Sequence, residues 1–345
     1  MNRDVLRRVL DPRPLRTAEV RATIAALVAA STGDVERTAI LIAATARENR
    51  TEELVAFARE MLRRAVPFPV PRRDGGVDLC GSGGARRPSF NVSTVSAFIV
   101  RASGVPVVKH GNRGRSLCGS SDLLEALGLP VESSIPFARA SYRRFRIAFL
   151  HAPLFHPEMR AVAGVRRQLG IPTLFNRLGP LSNPARVGCQ VSGAIDPGSA
   201  RRAAAALRAL GVSRGVSMTS DDGCDEFSPR SPTTAFYWTG SRTLRLRVRP
   251  DDLLDTDDRR GSWGPLPPPE AAETTERLLA GAGGARRGSV LLTSGAALWV
   301  SGRVSSLRAG VQRAREALDS GAAESLLRDV LELAGRYRET PGSPA

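Results

Sequence analysis

Lysine is almost missing from this chain: Lys109 is its one instance, and arginine supplies the other 49 of the 50 basic side chains. Where arginine serves nearly everywhere, a retained compact ammonium marks a place that a planar guanidinium cannot fill. Acidic side chains are also few, 34 against 50, so the 345 residues carry a formal charge of +16. The arginine pairs, from Arg63-Arg64 through Arg143-Arg144 to Arg286-Arg287, are scattered and form no stripe or tail. That spread fits a solvated surface with affinity for a phosphorylated substrate better than a nucleic-acid interface. Cysteines are four and far apart (Cys80, Cys118, Cys189, Cys224), with no CxxC pair, which suits a reduced, cytoplasmic setting better than a disulfide frame or a zinc site. No apolar run reaches the roughly 18–20 residues of a membrane span, so no membrane partner is expected. Met1 to Arg16 lacks the apolar core of a secretion signal.

A hydrophobic fraction of 42% and a charged fraction of 24% describe a folded protein, with room for one large or two modest domains. Residues 16 to about 66 read as helices, with Thr17-Ala-Glu-Val and Thr51-Glu-Glu-Leu as starts and Thr38 to Thr45 as an intervening apolar run. Pro67-Phe-Pro-Val-Pro71 then reads as a boundary or hinge. Beyond it, strand candidates (77–80, 105–108, 212–219) alternate with helix candidates (95–102, 122–127, 199–210), and 233–238 with 243–248 reads as a hairpin. Helices are also expected at 271–279, 290–300 and 306–320, and a Pro/Gly-rich surface loop at 255–269. The fold class expected is α/β with a mostly parallel sheet: a helical domain over 1–70, an α/β domain over 71–330 and a tail over 331–345.

Neither the GxGxxG nor the GxxxxGK pattern occurs. Instead Gly81-Ser-Gly-Gly84 follows a strand candidate, and Asn91-Val-Ser-Thr94 opens a helix seven residues later. Alone, the glycines make an ordinary turn; together with NVST they suit a phosphate, through exposed backbone N–H groups and a helix N-terminus. Lys109-His-Gly-Asn-Arg113 follows the next strand candidate, at the strand end where open α/β sheets bind ligands. Lys109 offers a charge for phosphate and Asn112 an orienting amide, while His110 reads as a structural or orienting residue before a base. Asp225-Glu226 suits Mg²⁺ shared with substrate phosphates, although the dipeptide alone reads as a solvated acidic turn. A fourth stretch runs from His156-Pro-Glu-Met-Arg160 through Arg166 to Gly179-Pro-Leu-Ser-Asn-Pro184 and offers an arginine for a carboxylate.

In this order the motifs resemble the anthranilate phosphoribosyltransferase family: GSGG with NVST, KHGNR, GSSDLLEALG, FLHAPLFHPEMR, VRRQLGIPTLFNRLGPLSNPA and DGCDEFSP, spread over about Leu15 to Leu326. The resemblance implies a helical domain and an α/β domain meeting at a hinge, a homodimer formed through the helical part, and transfer of phosphoribose from phosphoribosyl pyrophosphate to the amine of anthranilate. It implies that Gly81, Gly84, Ser89, Asn91, Ser93, Thr94, Lys109 and Ser120 hold the donor. Ser93, Asp225 and Glu226 would hold Mg²⁺, with Lys109, Asp225 and Glu226 as the catalytic set. Gly81, Asn112, His151, Arg166, Gly179 and Pro180 would line the aromatic acceptor. Three departures stand out: Ala85 where the family usually has Asp, a segment from Arg113 to Gly119 one residue short that carries Arg115 and Ser116, and His151 where an aromatic residue is usual. A substituted aromatic acid as acceptor and a non-catalytic nucleic-acid-binding relative are the alternatives.

Overall fold

The computed structural model describes residues 2–47, 50–71, 76–84, 87–114, 117–132 and 134–338; Arg72-Arg73, Ala85, Arg115, Ser116 and the 339–345 end lie outside the described residues. The chain opens with four helices, α1 (Arg3–Leu10), α2 (Thr17–Val28), α3 (Asp34–Ala46) and α4 (Thr51–Arg64). Helix α1 was not anticipated, because its apolar positions Val5, Leu6 and Val9 lie among arginines; Val9 is nonetheless buried against the bundle. The start of α2 is secured by the Glu19 carboxylate, which accepts from the Arg16 backbone N–H at 2.6 Å.

The sheet has seven strands: β1 (Val77–Cys80), β2 (Val107–Gly111), β3 (Ile147–His151), β4 (Cys189–Gly193), β5 (Arg214–Ser220), β6 (Thr233–Thr239) and β7 (Arg242–Val248). Their order is β3-β2-β1-β4-β5-β6-β7, parallel from β3 to β5 and antiparallel through the β6–β7 hairpin. Between them run α5 (Val92–Ala102), α6 (Ser120–Ala126), α7 (Ile135–Phe145), α8 (Ala152–Phe155), α9 (Arg160–Leu169), α10 (Leu174–Leu178) and α11 (Pro197–Ala209). The chain ends in α12 (Pro268–Leu279), α13 (Ala285–Val300), α14 (Leu307–Asp319) and α15 (Ala322–Arg338). Side-chain caps start three of these: Ser134 accepts from Phe137 N, Asp196 from Ser199 N and Ser306 from Ala309 N.

One sheet face packs on α5 and α13, which share a core with α14 and α15. The other packs on α11, and that core continues into α1–α4, α9 and α10. The helical layer is therefore completed by α9 and α10, from far along the chain. The proline stretch 67–71 is tied to the α/β side: Phe68 is buried edge-on against Tyr142 and Phe155, and Val66 N donates to Phe155 O at 2.8 Å.

Several expectations need correction. Lys109, His110 and Gly111 were placed in a loop after a strand at 105–108, but they belong to β2. Its ladder with β3 runs from Val107↔Ile147 to Gly111↔His151, while Gly104, at φ +95°, still turns the chain ahead of it. The tail expected from 331 begins no earlier than 339, because α15 reaches Arg338 and buries Leu333 and Ala334. The 255–269 segment is not a plain surface loop: Trp263 is buried, and Asp258 is buried between Arg287 and Arg315 at 2.8 and 2.9 Å.

Trp238 on β6 is fully buried and its indole N–H donates to Val212 O at 3.0 Å. It fits because Gly215 lies opposite: a Cβ there would come within 2.4 Å of two ring carbons and 2.5 Å of Gln190 O. Gly215→Ala is expected to destabilise the protein by at least about 2 kcal/mol through overpacking, seen as a lower urea midpoint. An unchanged midpoint would show that the sheet yields there freely.

Candidate active site

The site lies where the chain order reverses in the sheet. From β1 the chain moves outward to β2 and β3, then returns to β4 on the other side, leaving a crevice past the strand ends. After Cys80 the chain turns through Gly81-Ser82-Gly83-Gly84, with Gly83 in the left-handed region at φ +64°. Ser82 donates to Asp225 Oδ2 twice, from its backbone N–H at 2.5 Å and its hydroxyl at 2.7 Å. Gly81 permits this approach, since a Cβ there would sit 3.0 Å from the same oxygen. Gly193, ending β4, permits it from the other side; its Cβ would fall 1.9 Å from Asp225 O. Ser220 completes the acidic loop by donating to Glu226 O at 2.7 Å.

Asp225 and Glu226 are buried, 7% and 5% exposed, so the solvated-turn reading fails. Burial first, and then the Asp225 charge, push the Glu226 carboxyl well above the usual range; Lys109 and the Ser93 backbone N–H oppose the shift. Lys109 is buried too, and its ammonium donates to Leu79 O at 2.6 Å and to Ser93 Oγ at 3.1 Å. The glycine turn, the one lysine, the first turn of α5 and the acidic pair thus meet in one place. Thr94 is buried on the same turn, Asn91 donates to Cys118 O at 3.2 Å, and Ser89 donates to Phe90 O at 3.1 Å. Trp263 O accepts from Phe90 N at 3.0 Å, so the 255–269 segment braces this stretch.

A divalent cation fits these groups. Glu226 Oε2 is buried with no hydrogen-bond partner among the described residues. No cluster of three or more His, Cys, Asp or Glu side chains suited to a metal occurs among them either. Two carboxylates and a hydroxyl, short of a full protein cage, match Mg²⁺, which keeps waters and takes phosphate oxygens as its remaining ligands.

Residues expected on the acceptor side lie around the same crevice. Asn112 O accepts from Ser120 Oγ at 3.1 Å and Ser121 N at 3.2 Å, which joins the end of β2 to the start of α6. Arg166 on α9 lies over the Phe175 ring at 5.4 Å and donates to Asn176 Oδ1 at 3.4 Å. Asn176 Nδ2 donates in turn to Gly83 O at 2.9 Å, so the arginine is tied to the glycine turn. Pro180 O accepts from Gln190 at 2.6 Å. His110 is buried edge-on to His156, bonded to the Gly179 backbone, and pushed down to about 3 by burial and His156. It is therefore neutral and suited to orienting. His151 has Ser121 Oγ 2.8 Å from Nδ1 and Glu132 3.4 Å from Nε2.

Sequence reasoning passed over Ser82, Asn176, Asn183 and Asp78. Asp78 Oδ1 accepts from His110 N at 3.2 Å, and burial, offset by Lys109 and Asn183, pushes its carboxyl up to about 6. Asn183 also donates to Val108 O at 2.9 Å. A signal existed for each, a polar residue inside a rigid glycine or proline motif, but its partner could not be read.

Comparison with known proteins agrees with this arrangement. Residues 73–324 match the glycosyl transferase family, a/b domain, and residues 3–65 its helical bundle domain. Anthranilate phosphoribosyltransferase from Haloarcula marismortui is 38% identical over 331 residues, covering 95% of this chain and 99% of the relative. The crystal structure of the enzyme of that name from Thermus thermophilus superposes with a TM-score of 0.84 at 34% identity, covering 96% of this chain and 99% of that one. The Saccharomyces cerevisiae enzyme in complex with PRPP and Mg shares the fold at a TM-score of 0.83 and 23% identity, covering 96% and 97%. A bundle of helices, a sheet whose reversal point gathers a glycine turn, a lysine and an acidic pair, and this likeness along nearly the whole length agree: the chain belongs to the anthranilate phosphoribosyltransferase family.

Proposed function

We propose that this pentosyltransferase moves phosphoribose from phosphoribosyl pyrophosphate to the amine of anthranilate, releasing pyrophosphate. The observation that carries the reading is the meeting of the Gly81–Gly84 turn, Ser93, Lys109 and the Asp225-Glu226 pair beyond the ends of β1 and β2. The diphosphate of the donor takes the backbone N–H groups of the glycine turn and of the first turn of α5, where Ser89, Asn91 and Thr94 add polar groups. Ser120 meets the donor from the far side of the crevice.

The ribose C1–O bond to pyrophosphate breaks while the amine forms the new C1–N bond, the C1–O electron pair leaves with the diphosphate, and the nitrogen then gives its extra proton to water. Negative charge grows on the leaving diphosphate, so Lys109, buried and fixed by Leu79 O and Ser93 Oγ, acts where a charge is worth most. Mg²⁺ held by Ser93, Asp225 and Glu226 would supply the remaining charge compensation on the diphosphate. Arg166 faces the anthranilate carboxylate, while Asn112, Gly179 and Pro180 hold the ring so that the amine points at C1. A neutral His110 beside Gly179 orients without placing a second cation there. The helical layer leaves Leu10 and Val35 exposed, apolar surface that a second copy would cover in a homodimer.

Incubation with phosphoribosyl pyrophosphate, Mg²⁺ and a panel of aromatic acids is expected to release pyrophosphate with anthranilate. Release only with another acid would transfer the reading to that acceptor, and steeply salt-dependent DNA binding without turnover would overturn it. Glu226→Ala is expected to lower turnover by at least about a hundredfold while the melting temperature stays near that of the natural chain. Near-normal turnover would remove the acidic pair from the chemistry. Arg166→Ala is expected to raise the anthranilate KM by about tenfold or more, as the loss of a charge-assisted hydrogen bond does, and to change the donor KM little. Equal changes in both would contradict its place.

A further inference from the structure

The segment between β2 and α6 starts at Asn112 and ends at Gly119, just before Ser120, and its two ends are tied together from behind. Arg113 pairs with Asp122 and Glu125, each at 2.6 Å, and with Glu132. Asp122 Oδ2 accepts from Gly114 N at 2.9 Å and Gly119 N at 2.7 Å. Glu132 then meets His151 Nε2 at 3.4 Å, and His151 Nδ1 meets Ser121 Oγ at 2.8 Å. Ser121 Oγ lies within hydrogen-bond reach of Nδ1, whereas Glu132 Oε1 meets Nε2 at ion-pair distance only and makes no hydrogen bond to it. Nδ1 is therefore spent on Ser121 and Nε2 faces Glu132, and the residue itself is buried at the end of β3.

The fit in front of His151 is close. A Cβ on Gly111 would fall 2.1 Å from Ser120 Oγ. Lys109, Gly111, Ser120, Ser121 and His151 border a cavity of about 10 Å³, room for at most one water. With so little slack, a shift of Ser121 moves Ser120 and the Asn112 carbonyl that both residues hold.

We propose that His151 is a positioning residue: through Ser121 it fixes the start of α6, where Ser120 meets the donor, and it touches neither substrate. This rests on the phosphoribosyl-transfer reading above. It differs from the expectation that His151 lines the acceptor. A phenylalanine at 151 would fill the volume but could make no hydrogen bond with Ser121.

The test is steady-state kinetics on His151→Phe, His151→Asn, Ser121→Ala and the double variant Ser121→Ala/His151→Phe, with each substrate varied in turn. His151→Phe is expected to raise the donor KM by about tenfold, the worth of one buried hydrogen bond, with kcat within about twofold and a smaller rise in anthranilate KM, since the Asn112 carbonyl moves with Ser121. Ser121→Ala should give a similar shift, and the double variant no further one, because both remove the same contact. His151→Asn, which keeps an acceptor near the Nδ1 position, should recover most of the donor KM. An unchanged donor KM, a shift confined to anthranilate or to the choice among substituted anthranilates, or full additivity in the double variant would overturn the inference while leaving the transferase reading intact. Failure of the natural chain to bind or turn over the donor would instead remove the reading beneath it.

Discussion

The carboxylate of Asp225 is the joint on which the site depends. It accepts two hydrogen bonds from Ser82 and so fastens the acidic loop after β5 to the glycine turn after β1, elements some 143 residues apart in sequence. Two glycines make the contact possible, Gly81 by leaving the space in front of the carboxylate open and Gly193 by letting the loop backbone pass. Burial also raises the Glu226 carboxyl above its ordinary range. Two adjacent carboxylates out of water repel one another, and the nearby ammonium of Lys109 compensates only in part. Among the described residues one Glu226 oxygen has no partner, a setting that suits a cation.

The positive charge of the chain has a local explanation in much of the fold. Arg47 is paired with buried Glu53, Arg64 with Glu60 and Glu158, and Arg287 with Asp258 and Asp319. Such arginines hold elements together: Arg64 joins α4 to the segment before α9, and Arg287 joins α13 to the 255–269 segment. The bidentate fork suits this work, whereas the one position that keeps lysine is the buried point facing Ser93 and Leu79 O, where a compact ammonium fits.

Much of this was legible in the sequence because glycine, proline and charge mark positions whose physics is local. The glycine turn, the start of α5, the β6–β7 hairpin and the acidic pair could each be named from residue types. What could not be read is what pairing decides. Lys109 and His110 looked like a loop until their ladder with β3 made them strand. Strands β3 and β4 passed unnoticed, since Ile147–His151 lies between two helices without a turn signal and Cys189–Gly193 carries little apolar pattern. The burial of Asp225 and Glu226, against the solvated turn that two acids suggest, comes from Gly193 and Ser82, neither of them near in sequence. The links Arg166–Asn176–Gly83 and Ser121–His151–Glu132 are likewise tertiary, and no spacing rule would have found them.

A crystal of the protein soaked with phosphoribosyl pyrophosphate and Mn²⁺, examined for the anomalous signal of the ion, tests the account at its centre. The expected result is a peak between Asp225, Glu226 and Ser93, with the diphosphate bridging from it to Lys109 and the Gly81–Gly84 amides. An ion and diphosphate bound elsewhere, with the Glu226 oxygen still unpartnered, would contradict it.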